Sequence, residues 1–302
     1  MRSTRGGTKT DLSWERVIPF HRDRLQAKLL CLVLLPPLAI GCLVRLWVPS
    51  THFPLQVLLL SVVFAATVLI LRAATPMASL SGAMICFLVT VGTAREAGSP
   101  LHSGLAPLTV LFLLTFVATR VGKRRKLKVE SGEERRGRSA AQVLANLGMT
   151  GILVAGVGQG RLIPMGPVMG DAYSLLAALV LAALVEATAD TVSSEIGRAF
   201  GQTAVMLTTM VRVPAGTDGA VSLLGTGSGL LGGALVAVVG MLGMRLDLRH
   251  TLFSFLGGTA ALFFDSLLGA TLERKGWLGN DLVNFFSTVF AVVVAWALLT
   301  WL

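Results

Sequence analysis

The feature that most constrains this chain is a series of long apolar runs separated by short polar breaks: residues 29–48, 55–71, 77–91, 105–118, 140–157, 174–189, 220–242, 252–269 and 282–302. A helix crosses a bilayer core with about 20 apolar residues, so runs near that length at this density make lipid the solvent. Charged residues are only 14% of the chain, where a soluble domain carries about 25%. In hydrocarbon every backbone polar group needs an internal partner, and a helix supplies it within one segment. The expected fold is all-α: a polytopic transmembrane helical bundle of about nine spans, with interfacial loops between the later helices. The long polar stretches are 1–28 and 120–139, and no separate soluble domain is expected. They divide the chain into a basic N-terminal tail (1–28), a first group of four helices (29–119), a basic loop (120–139) and a five-helix region (140–302).

The net charge is +10, and its placement says more than its size. Residues 1–28 hold seven basic and three acidic side chains, and residues 120–138 hold nine basic and three acidic. Those segments supply +4 and +6, the whole excess, while the remainder balances at ten of each sign. Basic residues beside spans stay on the cytoplasmic side, so both segments are placed inside. Four spans separate them, an even number, as two cytoplasmic flanks require. The charge is thus read as topogenic and not as a nucleic-acid surface, with contact to anionic lipid or nucleotide as the alternative. Continued alternation brings the sixth span back inside near Ala189 and leaves the C-terminus outside. Arg245 and Arg249 then fall in an outside loop, offset in part by Asp247, and a re-entrant segment within 196–218 would change the count. Pro36 and Pro37 should kink the first span. No cleavable signal is expected, because the first apolar run exceeds a signal core and lacks a small-residue cleavage site. Cys31, Cys42 and Cys86 lie inside apolar runs and read as small hydrophobes, and the four histidines are scattered.

Outside the basic segments ten acids remain, and seven of them are Glu186, Asp190, Glu195, Asp218, Asp265, Glu273 and Asp281. In this topology all seven fall at or near the cytoplasmic ends of the sixth to ninth spans. An ionisable group at a span's centre costs at least about 2.5–3.5 kcal/mol, so several at one level demand a divalent cation or basic partners. On a helix, Glu186, Asp190 and Ser193 or Ser194 share a face, and Glu195 starts the turn beyond. Such a stripe suits Mg²⁺, which takes one or two carboxylates, waters and substrate phosphates; a polar helix end with a Glu195–Arg198 salt bridge is the plainer reading. The run Arg212-Val-Pro214-Ala-Gly216-Thr217-Asp218-Gly219 admits two readings as well, an anion-binding loop before a helix N-terminus or an interhelical turn. Gly225, Gly229 and Gly233, four residues apart, predict close helix packing, with ligand contact as the alternative. Asp265-Ser266 ends the eighth span, Glu273-Arg274-Lys275 follows, and Asn280-Asp281-Leu-Val-Asn284 opens the ninth, where Asp281 could serve only as a cap.

Taken in order, these stretches resemble the phytyl-phosphate kinase / transmembrane protein 19 family of integral membrane proteins. The resemblance rests on Gly137-Arg138-Ser-Ala-Ala-Gln142-Val143-Leu-Ala-Asn146, Ala189-Asp190-Thr191-Val-Ser-Ser194-Glu195-Ile-Gly197, Arg212 to Gly219 with Ser222-Leu-Leu-Gly225, Asp265-Ser266-Leu267-Leu268-Gly269-Ala270, and Asn280-Asp281-Leu-Val283-Asn284-Phe285. It covers roughly residues 75–302, and residues 1–50 carry little of it. Asp218 stands where the family pattern more often has Asn.

The resemblance implies a phosphotransferase that converts an isoprenoid monophosphate such as phytyl phosphate to the diphosphate, with a nucleoside triphosphate (CTP, or else ATP) as donor. It makes 140–302 the catalytic-type region, in a bacterial inner (plasma) membrane with the site facing the cytoplasm. Asp190, Glu195, Asp265 and Asp281 are then the expected catalytic, Mg²⁺-binding carboxylates. Arg198, Arg212, Lys275, Gly216, Thr217, Gly219, Asn280 and Asn284 are the expected nucleotide- and phosphate-binding residues, with Lys123, Arg124 or Arg138 as further nucleotide contacts. The expected partners are membrane lipid, the isoprenoid phosphate and nucleotide, with no nucleic acid. The rival readings are an ion-coupled lipid or small-molecule transporter or flippase, a nucleotidyltransferase forming a CDP-lipid, a kinase of the free prenyl alcohol, and a non-catalytic membrane protein.

Overall fold

The structure is a computed structural model that describes residues 18–47, 53–94, 99–122, 137–157, 172–201 and 203–302. Most of the two basic segments, including Lys123 and Arg124, lies outside the described residues. Nine helices follow one another among those residues: α1 (Phe20–Trp47), α2 (Phe53–Ile70), α3 (Pro76–Gly92), α4 (Leu105–Arg120), α5 (Ala140–Val157), α6 (Ala172–Phe200), α7 (Leu223–Gly243), α8 (Leu248–Leu268) and α9 (Asn280–Trp301). Six of them (α1, α2, α6, α7, α8 and α9) are long and apolar enough to cross a membrane, and α3, α4 and α5 are shorter apolar helices. The all-α polytopic fold expected from the apolar runs is the fold observed.

Contacts at the helix ends show that the chain alternates between two faces. On one face, Arg120 at the end of α4 donates to Leu71 O at 2.8 Å, and Arg138 before α5 exchanges backbone hydrogen bonds with Ala73 and Thr75 at 3.0 Å each. The start of α1 docks on the loop before α9 there, with Arg22 donating to Gly276 O, Gln26 donating to Trp277 O and Gly279 N–H donating to the Gln26 carbonyl. On the opposite face, Tyr173 at the start of α6 donates to Thr93 O and Met244 O, and Arg45 near the end of α1 donates to Val154 O. Arg249, awkward in the charge-based topology, belongs to that opposite face, where it donates to Leu299 O at 3.0 Å and so satisfies a terminal carbonyl of α9. Asp247 caps α8 by accepting from His250 N–H at 2.7 Å, and this backbone hydrogen bond is the main reason its carboxyl titrates below the usual range.

The centre of the bundle is α6. From Ser174 to Ala189 every residue is buried, because α4, α5, α7, α8 and α9 all pack on it. The glycine stripe makes the tightest of these contacts. A side chain on Gly225 would meet Ser193 O, one on Gly229 would meet Ala189 O, and one on Gly233 would meet Val185, while Gly240 faces Leu181. The register runs antiparallel, backbone against backbone, and the packing reading of the stripe is the one observed.

Boundaries differ from expectation where polar residues lie on helices. α1 begins at Phe20, so part of the expected tail is helical. α6 continues to Phe200, well past Ala189, since a helix end packed by neighbours does not need an apolar sequence. Residues 220–221, read as the start of the seventh span, are strand β3 of a small sheet. That sheet joins β1 (Ala204–Met206), β2 (Arg212–Val213) and β3 (Ala220–Val221) in the order β2-β1-β3, antiparallel throughout. It connects α6 to α7, and no alternating run announced strands this short.

Gly229→Val should lower the melting temperature of the detergent-solubilised protein by the equivalent of about 1–3 kcal/mol. Gly227 has open space around it, and Gly227→Ala should be neutral or stabilising by up to about 1 kcal/mol. Equal effects at the two positions would contradict the seam.

Candidate active site

On the face that carries Arg120 and Arg138, α6 brings acids to the end of the bundle. Glu186 and Asp190 are one turn apart on the same side of α6. Glu186 is 1% exposed and interacts electrostatically with Asp190 and with Asp265 of α8. Asp265 in turn senses Asp190, Glu273 and Asp218. Two helices, the turn that follows α8 and the loop that carries Asp218 thus converge on one acidic centre.

Ser287 of α9 lies beside both Glu186 and Asp265, but its hydroxyl hydrogen is donated to Ala261 O at 3.0 Å. Both Glu186 oxygens and Asp265 Oδ2 are buried without a hydrogen-bond partner. Buried carboxylate oxygens without donors are costly, and a cation is the species that would satisfy several at once.

The cations of the centre come from two places. Arg198, two turns beyond Asp190 on α6, donates from Nη2 to Glu195 Oε1 at 2.8 Å, the salt bridge foreseen as the plainer reading. Arg138 interacts with Glu195, Asp190 and Arg198. Its backbone is held by the Ala73–Thr75 strand-like bridge, and Gly137 permits that approach with φ +82° where a side chain would collide with the Ala73 and Ala74 backbone. Burial lowers the pKa of Arg138 while Glu195 and Asp190 raise it, and an arginine in such company keeps its charge. Asp190 therefore sits between a carboxylate side (Glu186, Asp265) and a guanidinium side (Arg198, Arg138).

The loops around this centre are shaped by close approach. α8 continues into a π-helical turn, Gly269–Glu273, a local widening common at functional sites. Gly219, at φ +75°, lies so near Ala270 of that turn that no side chain fits, and this contact brings Asp218 toward Asp265. The Thr217 hydroxyl donates to Pro214 O at 2.8 Å, and its N–H points to the same carbonyl. Thr217 is committed to its own turn, and Gly216 takes the left-handed conformation at φ +91°. Residues 214–219 thus form the turn that joins β2 to β3. Beside it lies a cavity of about 310 Å³ lined by Thr208, Thr209, Thr217, Ala270 and Arg274.

The structure brings some expected site residues together and separates others. Asp190, Glu195, Asp265 and Arg198 belong to the centre. Asp281, in the first turn of α9, is half-buried and interacts with Cys31 of α1, because the start of α1 docks on that corner. It is not the cap residue, since Gly279 holds that position. Asn280 is exposed and Asn284 half-buried one turn further on. Arg212 is exposed on β2. Lys275 is exposed beside the Trp277 ring at 5.8 Å, a pairing suited to a membrane interface. Ser194 is exposed and Ser193 is turned onto the α7 glycines, so neither hydroxyl joins the Glu186–Asp190 stripe. Among the described residues no three His, Cys, Asp or Glu side chains form a metal-holding group, so the four-carboxylate set is not gathered about a single point. Sequence reasoning missed Ser287, for which its position seven residues beyond Asn280, on the same face of α9, was the available signal.

The fold and this centre define a class: a polytopic helical membrane protein whose polar site is built on a buried central helix at one face of the bundle. The chain belongs to the family described as Integral membrane protein DUF92, which it matches over residues 59–292. It is 32% identical over 221 residues to Protein VTE6, chloroplastic, of Arabidopsis thaliana, a match covering 72% of this chain and 64% of the plant protein's length. It is 31% identical over 194 residues to Uncharacterized membrane protein sll0875 of Synechocystis, covering 64% and 72% of the two chains. Uncharacterized membrane protein MJ0933 of Methanocaldococcus jannaschii is 34% identical over 187 residues, covering 62% and 72%. No solved structure matches.

Arg138→Ala should lower thermal stability in detergent by about 1–3 kcal/mol, because Asp190 and Glu195 lose a compensating positive charge. Combined with Asp190→Asn it should cost less than the sum of the single changes. Strictly additive losses would show that the two residues do not interact.

Proposed function

We propose that this protein is a membrane-embedded prenyl-phosphate kinase that transfers the terminal phosphoryl group of a nucleoside triphosphate, CTP by the family's pattern, to an isoprenoid monophosphate such as phytyl phosphate. The observation that carries this reading is the meeting of Asp190 and Asp265, from two different helices, beside Arg138 and Arg198 at one face of the bundle. That face adjoins both basic segments, which supports its being the cytoplasmic side, where nucleotide is present. Its membrane would be the bacterial inner membrane.

Phosphoryl transfer rests on positioning and charge neutralisation more than on covalent chemistry by the protein. In the proposed step an oxygen of the acceptor monophosphate attacks the terminal phosphorus of the donor. The bond from that phosphorus to the bridging oxygen breaks, and the nucleoside diphosphate leaves with the electron pair. The acceptor oxygen is already anionic, so no strong general base is required.

The donor set fits Mg²⁺, which uses one or two carboxylates and completes its shell with water and phosphate oxygens. Asp190 and Asp265 would hold it, with Glu186 behind them, and the donor-free oxygens of Glu186 and Asp265 support a cation there. When bound, the ion would neutralise the donor phosphates. Arg138 and Arg198 would face the phosphates as planar, permanently charged forks. Glu195, through its bond to Arg198, would fix the orientation of that guanidinium.

The test is the purified protein in detergent with Mg²⁺, labelled CTP or ATP, and a panel of prenyl alcohols and monophosphates. Diphosphate should form from the monophosphates, and Asp190→Asn or Asp265→Asn should lower turnover at least about a hundredfold while the protein still melts cooperatively. No product with any nucleotide overturns the reading, and a CDP-lipid product would replace it with nucleotidyl transfer.

A further inference from the structure

A groove of about 650 Å³ lies between α1 and the first turn of α5. On α1 it is lined by Arg24, Lys28, Cys31, Leu32, Leu35 and Pro36, positions that recur along one helix face. On α5 its wall is Ser139–Ala141. The groove is polarised. Its cations, Arg24 and Lys28, are exposed and stand at the end of α1 that docks on the Gly276–Gly279 loop, level with the candidate site. Below them the lining is apolar down to Pro36.

We propose that this groove is the acceptor site: the isoprenoid tail lies along α1 and α5, and its phosphate monoester is bound by Arg24 and Lys28. The identity of the occupant rests on the prenyl-phosphate kinase reading. Three observations point to a single-chain phosphate monoester. First, the charged end carries two side-chain cations one turn apart, which match the nearly two negative charges of a phosphate monoester. The Arg24 guanidinium stacks on Phe20 at 4.1 Å, which holds its position. Second, the same end receives the positive N-terminus of α5, whose first turn is fixed by a reciprocal Ser139–Gln142 capping box. Third, the stretch from Arg24 to Pro36 spans roughly 18 Å at about 1.5 Å per residue, a length for a few isoprene units.

The groove's α5 wall is joined to the reacting centre through the chain. Ser139 on its wall directly follows Arg138, which interacts with Asp190 and Glu195. Cys31 on the opposite wall interacts with Asp281 at the start of α9. This places Asp281 beside the acceptor. The α1 wall lies before residue 59, where the family match begins, so this chain's acceptor preference is written largely outside the shared region.

The test is photolabelling of the full-length protein in nanodiscs with an isoprenoid monophosphate carrying a diazirine on its tail, followed by peptide mapping. Label should fall within residues 24–36 and 139–141, and unlabelled isoprenoid monophosphate should compete for it. Arg24→Gln with Lys28→Gln should reduce labelling at least about tenfold, and Leu35→Trp should block it by filling the groove with the cations intact. Arg24 and Lys28 are exposed, so the charge variant keeps the test decisive if the Leu35 variant does not fold. Label elsewhere, labelling unchanged in the charge variant, or equal labelling by a diazirine phosphatidylglycerol would overturn the proposal. Groove labelling without phosphoryl transfer from any nucleotide would sustain a lipid-phosphate site and refute the kinase; transfer with label mapped elsewhere would do the reverse.

Discussion

The structure depends on the close approach of α7 to α6. Gly225, Gly229 and Gly233 present no side chains to α6, so the two backbones meet where any larger residue would collide with a carbonyl or side chain. With α7 drawn in on one side, α4, α5, α8 and α9 can close around the rest. The outcome is a helix with no lipid-facing side over most of its length, and only such a helix can carry Glu186 and Asp190 within a membrane. Facing hydrocarbon they would be prohibitively placed; inside the bundle they need partners, and the partners define the site.

Those partners arrive through backbone devices at one face. Gly137 lets the segment before α5 hydrogen-bond to Ala73–Thr75, which fixes the root of Arg138. Gly219 lets the loop after the small sheet press on the π-turn of α8, which carries Asp218 toward Asp265. Ser287 lies beside both Glu186 and Asp265 and donates to Ala261 O. The result is a centre with carboxylates on one side of Asp190 and guanidinium groups on the other, an arrangement suited to a metal-bound polyphosphate.

Much of the fold was legible in the sequence, since hydrophobic runs report directly on the solvent that surrounds a helix. The 140–157 span agrees with α5 at both ends, and the even number of spans between the basic segments agrees with the shared face of the helix ends. Legibility failed where neighbours, not lipid, decide the structure. The last turns of α6 are helical although polar, because packing and the Glu195–Arg198 bridge support them. The three short strands after α6 carry no periodic pattern. At the site, spacing along one helix was informative and joined Glu186 to Asp190. Spacing could not say that the start of α1 docks on the corner where Asp281 opens α9. Nor could it say that Arg212 and Lys275 are exposed, where charge also serves solvent and headgroups.

The central claim, that Asp190 and Asp265 together form a divalent-cation site, is tested most directly by titrating the detergent-solubilised protein with Mn²⁺ in the presence of a non-hydrolysable nucleotide and following bound ion by electron paramagnetic resonance. The account predicts protein-dependent binding that Mg²⁺ displaces and that is lost in Asp190→Asn/Asp265→Asn protein retaining its helical circular dichroism. Unchanged Mn²⁺ binding in that double variant would contradict it.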